Sequence, residues 1–306
     1  PLDIIDGISV DDLVAKRTSN LMQPRMAERI DKSTRKEFPD GIEAFGTDSL
    51  RFTFYAMANS SRTIRFDMNR IQGYRNFCNK LWNATRFVLT HTADADCGID
   101  GGELEPGLPE RWIRSELQRA IGATTLALQT YRFDLAAKAL YEFIWDEFCD
   151  WYLEASKSVL TDSSASEAAR RSTRHTLITV LEETLRLTHP FLPFMTEELW
   201  QQVGSKAGAT GATIMLQSFP EVRPAAVDSD ADAEMTWVKE VVNATRNIRG
   251  QMDISFARKI PVLFHSGDEQ DRNHLSANLN LLKFLIKPEE LTWLAAIKPA
   301  ALAANR

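Results

Sequence analysis

The sequence predicts a mainly α-helical protein, and three observations predict it. Apolar residues recur at spacings of three and four through most of the chain, and strand-like stretches are short and confined to its two ends. With 44% of 306 residues apolar, there is material for two or three modest cores.

Residues 1–65 mix short strand-like and helical pieces, carry a charged stretch from Ala27 to Lys36, and end in a helix over Thr47–Ala58. The first long helix is expected over 68–91, where Ile71, Tyr74, Cys78, Leu81, Thr85 and Val88 make one mostly apolar stripe. A loop rich in glycine and acids follows, from Ala93 to Gly107. Pro109 suits the first turn of a second helix, whose face holds Trp112, Ile113, Leu117, Ile121 and Leu128. The third helix repeats through Phe133, Ala137, Leu140, Ile144, Phe148 and Trp151, with Asp134 near its start, where an acid complements the helix dipole. A Ser-rich loop, Asp162 to Ser166, leads to a fourth helix with Leu177, Val180, Leu181, Thr184 and Leu187 on one face. Pro190 and Pro193 interrupt it before Met195–Val203. These stripes are core, and burying a side chain such as Leu140 stabilises by ~2 kcal/mol.

Beyond them, Asp228, Asp230, Asp232 and Glu234 read as a linker or a poorly packed helix start. Thr236–Met252 is expected as a helix, Lys259–His265 as a strand, and Asp268–Ile286 as one helix with Leu275, Leu279, Leu282 and Leu285 on a face. Three parts result: 1–65, a helical bundle at 66–220, and a linker with a small α/β piece at 221–306.

Composition narrows the function. No run of about 18 apolar residues supports a membrane span. Cys78, Cys97 and Cys149 are odd in number and widely spaced, which fits reduced cytoplasmic thiols better than disulfides or a zinc site. The five histidines show no metal-binding spacing, and His189, before Pro190 at a helix end, reads as structural. No phosphate-binding glycine motif or nucleophile elbow occurs, so no catalytic centre, metal or bound cofactor is expected. The chain opens on Pro1 rather than Met, which suggests a piece of a longer protein.

The segment Gln72 to Val88 carries the chemistry. A second stripe on this helix holds Gln72, Asn76, Asn79, Asn83 and Arg86, with Arg75 and Lys80 beside it. Asparagine competes for the helix backbone, so three at helical spacing need another reason to be there. They either bond neighbouring helices inside the bundle or offer donors and acceptors to the edges of unstacked RNA bases. From Arg62 to Arg86, six cations (Arg62, Arg65, Arg70, Arg75, Lys80, Arg86) face one acid, Asp67, a local charge of +5 in a chain whose total is -6. A basic stripe on an acidic protein is the footprint of phosphate contact, and Tyr74, Phe77, Trp82 and Phe87 interleave with it as single-stranded RNA would require.

These residues also carry a resemblance. GYRNFCNKLWNATRFV at 73–88, FIWDEFCDWYLEASK at 143–157 and HPFLPFMTEELWQQV at 189–203 resemble the anticodon-binding part of bacterial valyl-tRNA synthetase. PLDIIDG at the start resembles the segment after that family's KMSKS loop, and GTDSLRF at 46–52 its G-[AT]-D-[AS]-L-R-[FW] helix. The tryptophan and cysteine details favour the valyl enzyme over its isoleucyl, leucyl and methionyl relatives. The resemblance implies the anticodon-binding helical bundle of class I synthetases. A mixed α/β stem-contact remnant at the end of the catalytic domain would precede it, and a small α/β piece would follow.

By the same resemblance, the parent protein would be a cytoplasmic, monomeric valine–tRNA ligase using ATP and Mg, with tRNA for valine as its partner. Its catalytic and editing domains would lie upstream, leaving this chain inactive alone. The family's long basic coiled coil has no counterpart in the heptads of this sequence. The implied anticodon contacts are Arg62, Arg65, Arg70, Arg75, Asn76, Asn79, Lys80, Asn83, Arg86 and Phe87. In the methionyl relatives an asparagine three residues after an NK pair contacts the anticodon, and Asn79-Lys80 is followed by Asn83 at that distance. The alternative is a helical interaction module whose basic face meets an acidic partner.

Overall fold

Gly41 shows how the first segment is tied together. It takes a positive φ of 79°, and a Cβ there would fall 2.2 Å from the carbonyl oxygen of Ile8, so only glycine lets the two backbones meet. They form an antiparallel bridge, Ile8 with Ile42, which among the described residues is all that the strand-like pieces at this end amount to. The computed structural model describes residues 1–58, 63 and 66–294. Around the bridge lie helices α1 (Leu2–Ile5), α2 (Val10–Thr18), α3 (Ala27–Glu37) and α4 (Thr47–Met57). Ser9 caps α2 by accepting the Asp12 N–H, and Arg35 of α3 reaches Asp11 of α2 at 2.8 Å. A small core of Phe45, Leu50 and Ile71 joins this segment to the long helix that begins at Met68.

The bundle is built from α5 (Met68–Thr92), α6 (Leu108–Gln129), α7 (Phe133–Glu142), a π-helical segment (Phe143–Tyr152), α8 (Leu153–Leu160), α9 (Glu167–Thr188) and α10 (Pro193–Val203). The expected stripes of α6 and α9 are buried, with only Leu128 half-exposed. On α5 the buried face also takes in Phe77 and Ala84. The third helix departs from expectation. Bonds from i to i+5 replace those from i to i+4 over ten residues, so the inward face shifts from a 3.6 period to Phe143, Ile144, Phe148, Cys149, Tyr152 and Leu153. Tyr152 is fully buried, whereas Trp151 is only partly covered, with Lys239 and Arg246 each 5.5 Å from its ring centre.

The corner between α9 and α10 explains two sequence motifs at once. Asp48 of α4 accepts the Met195 N–H at 2.7 Å, capping α10 from a distant helix, and Arg51 donates to the Pro190 carbonyl at 3.0 Å. His189 Nδ1 lies 2.7 Å from the Thr196 hydroxyl, the structural place its position before Pro190 suggested. Trp200 donates to Glu182 at 2.9 Å, and Arg186 grips the same carboxylate with its Nε.

The acidic stretch after residue 227 is neither a linker nor poorly packed. Asp228 caps α11 (Ser229–Gln251), Ala231 is fully buried, and Asp232 accepts from Ser115 and Arg119 of α6. Acids suit this first turn because they face the positive end of the helix dipole. Further on, β1 (Val262–Phe264) pairs in parallel with β2 (Leu291–Trp293). The single helix expected between them is two, α12 (Glu269–Ala277) and α13 (Leu279–Ile286), broken at Asn278, whose side chain instead bonds Glu234. One continuous core runs from Phe52 to Ile286, so α11 and α13 pack on the bundle itself.

Glu110 supplies a test of this core. It is 2% exposed, accepts the Gly107 N–H at 3.1 Å and the Thr173 hydroxyl at 2.9 Å, and burial pushes its carboxyl up from 4.5. A raised acid stabilises the fold fully below its unfolded value, and that contribution is lost as pH rises through the folded one. Glu110→Gln can keep both bonds, with its oxygen on Gly107 and its amide on Thr173. Its melting temperature should therefore gain on the parent's steadily as pH climbs from 4 toward neutrality. A deficit that grew with pH would mean that the carboxylate's bonds outweigh its burial.

Candidate nucleic-acid interface

The buried face of α5 decides what its other face can do. With Ile71, Phe77, Cys78, Leu81, Thr85 and Val88 turned into the core, the opposite side holds Asn76, Asn79, Asn83 and Arg86, all exposed, with Gln72 half-buried at one end. The amides therefore do not bond neighbouring helices inside the bundle. Gln72 donates to Asn76 at 3.5 Å, a weak bond, and Asn79 and Asn83 reach no side-chain partner among the described residues. Asn79 and Asn83 retain their side-chain donors and acceptors for something outside the fold.

The cations are less available than their number suggests. Arg75 is held by Glu43 at 2.6 Å and lies over the Phe45 ring at 5.8 Å. Lys80 is held by Asp150 at 2.5 Å and sits 3.8 Å over Trp145. Arg70 is exposed, but nine residues from Asn79 it projects from the opposite side of the helix. Arg86 continues the amide stripe and is exposed. Arg62 and Arg65 lie outside the described residues. Sequence counting could not foresee the two ion pairs, because Glu43 and Asp150 come from other elements.

Phe87 is half-buried, its ring 4.4 Å from that of His91 and 5.4 Å from the Lys157 ammonium, so part of its surface is already used. The His91 imidazole is held below its usual value by burial, then by Lys157 and Arg174. Two aromatic surfaces are more open: Trp82, one of the rings interleaved with the basic stripe, is 39% exposed, and Phe194, which the sequence reading did not single out, is 65% exposed. Phe194 reaches α5 across a shallow cleft shared with Asp48, Arg75, Cys78, Asn79 and Met195. Burial pushes the Asp48 carboxyl up against the opposing pull of the two backbone bonds it accepts from Met195 and Phe194. Phe194 is far from α5 in sequence, and only the α10 corner brings the two together.

Chemically, such a face can exchange hydrogen bonds with polar planar edges, hold a phosphate at Arg86 and offer flat rings to stacking. The cysteines take no part: all three are free and buried, and burial pushes Cys78 to about 11 and Cys149 to about 12. Among the described residues no His, Cys, Asp or Glu group is arranged to hold a metal, and no helix is long and apolar enough to cross a membrane.

The fold is thus a helical bundle with a rigid, solvent-facing amide stripe. Residues 110–264, from the first turn of α6 to the end of β1, match the family model of the anticodon-binding domain of tRNA ligase. The match covers about half of the chain, and the chain belongs to that family. Helix α5 precedes the matched residues. Among solved structures, the ternary complex of Agrobacterium radiobacter LeuRS with tRNA and LeuAMS is similar to this chain at 20% identity and a TM-score of 0.44. The similarity covers 60% of this chain and 20% of that one, so this chain corresponds to about one fifth of that protein's length.

Proposed function

We propose that this chain recognises the anticodon of valine tRNA as part of a valine–tRNA ligase. The exposed stripe Asn76, Asn79 and Asn83 carries the reading, because helix-borne amides that face solvent, two of them without a side-chain partner among the described residues, are suited to base edges. NKLWNATR at 79–86 and FCDWYLEASK at 148–157 favour valine over related amino acids. The parent would use ATP and Mg to activate valine at catalytic domains preceding Pro1 in the same chain, and would act as a monomer in the cytoplasm. Candidate contacts are Asn76, Asn79, Asn83 and Arg86. Arg70, Arg62 and Arg65 would serve the backbone, Phe87 would stack, and Arg75 and Lys80 would act once freed from their carboxylates.

The purified chain should bind an anticodon stem-loop of valine tRNA more tightly than one altered at the second and third anticodon bases, A and C, which valine anticodons share. It should show no valine-dependent ATP–pyrophosphate exchange, because its sequence holds no nucleotide-binding glycine motif, HIGH or KMSKS segment to stabilise the charge that develops as adenylate forms. Equal affinity for both stem-loops would remove the valine reading. Robust exchange would remove the view of this chain as a binding part only.

A further inference from the structure

Arg249, near the end of α11, is 4% exposed, and its Nε and Nη2 have no hydrogen-bond partner. Its Nη1 donates to the carbonyls of Ser255 at 3.1 Å and Arg258 at 2.9 Å, which folds the following turn back over it. No carboxylate among the described residues pairs with it. A buried guanidinium without an acid is costly, so an anion is the missing element of the arrangement.

The surroundings point the same way. Arg258, Lys259 and Lys287 are exposed at or beside the same turn, and none forms an ion pair among the described residues. Asp253, Glu289 and Glu290, which flank these residues in sequence, form no ion pair with them among the described residues. Phe256, 49% exposed, lies between two of these charges, 5.8 Å from the Arg249 guanidinium and 5.4 Å from the Lys287 ammonium. The helix dipole accounts for an arginine in the last turn of α11 but not for Arg258 and Lys259, which lie beyond it. Unpaired cations interleaved with an exposed ring suit a polynucleotide backbone, whose phosphates fit guanidinium forks and whose bases stack.

We infer that the turn Ser255–Lys259, with Lys287, is a second phosphate-binding surface for RNA, separate from the amide stripe of α5. The inference rests on the RNA-binding reading above and adds to it a contact that carries no base information. Arg249 orders the turn from beneath, so the test uses the exposed pair, Arg258→Ala with Lys259→Ala in the full chain. Affinity for a full-length valine tRNA transcript is measured across a salt series. Losing two contacts should make the slope of log affinity against log salt shallower by about 1.4, at about 0.7 per contact. Matched and mismatched anticodons should weaken by the same factor, and the melting temperature should hold. If the unaltered chain binds tRNA and the double variant keeps its slope, this inference fails and the anticodon reading stands. If the unaltered chain binds no tRNA, both fail. Polyglutamate competing as well as single-stranded RNA of equal length would make the turn an acidic-protein site and overturn the assignment.

Discussion

Replacing Phe77 with alanine should destabilise the chain by about 3–5 kcal/mol, the cost of removing a fully buried ring from a core that cannot collapse around the gap. The ring is 0% exposed and stands 4.9 Å from Phe52 of α4 and 5.0 Å from Tyr141 of α7. It is the point at which α5 is clamped to the two helices beneath it. A urea titration should show a lowered midpoint with an unchanged slope, since the surface exposed on unfolding is nearly the same. Because Phe77 holds the helix rather than touching a ligand, affinity should fall alike for matched and mismatched anticodon stem-loops under conditions where the variant is folded. An unmoved midpoint would mean that the neighbouring rings close the cavity. A loss confined to the matched stem-loop would place Phe77 nearer the bases than its burial allows.

Phe77 also shows what could be read from the sequence and what could not. Its helix was legible, from its apolar stripe to its ends within a residue, because a 25-residue amphipathic pattern leaves few alternatives. Which aromatics on it face inward was less legible, since Tyr74, Phe77, Trp82 and Phe87 are alike in composition and differ only in angle. The stripe through Trp151 failed for a physical reason: a period of 3.6 does not hold where the backbone widens into π turns. The acidic start of α11 resembles a linker in sequence because its partners, Ser115 and Arg119, are on another helix. The local charge of +5 is arithmetically sound, yet Glu43 and Asp150 neutralise part of it through contacts that no local window contains. The basic turn around Arg249 is hard to see in sequence because Lys287 joins Arg249 and Phe256 only once the chain folds.

Asn83→Ala should give the sharpest functional effect. An amide that bonds a base edge distinguishes bases, and losing one good pair of such bonds costs on the order of 1–3 kcal/mol of discrimination. Asn83 is exposed and without a side-chain partner among the described residues, so its removal leaves no buried group unsatisfied. Alanine is also the better helix former, by a few tenths of a kcal/mol, so the melting temperature should hold or rise slightly. The variant should therefore lose affinity for the valine anticodon stem-loop and lose much less for a stem-loop whose anticodon is already wrong, with no loss of stability. A neighbouring control sharpens the comparison. Asn76→Ala lies two turns earlier on the same face, next to the Gln72 bond, and reports whether the whole stripe or one position does the reading. If Asn83→Ala weakens both stem-loops equally, the side chain serves affinity without sequence. If neither changes, the stripe is a solvated face, and base recognition must move to the cleft between Asn79 and Phe194.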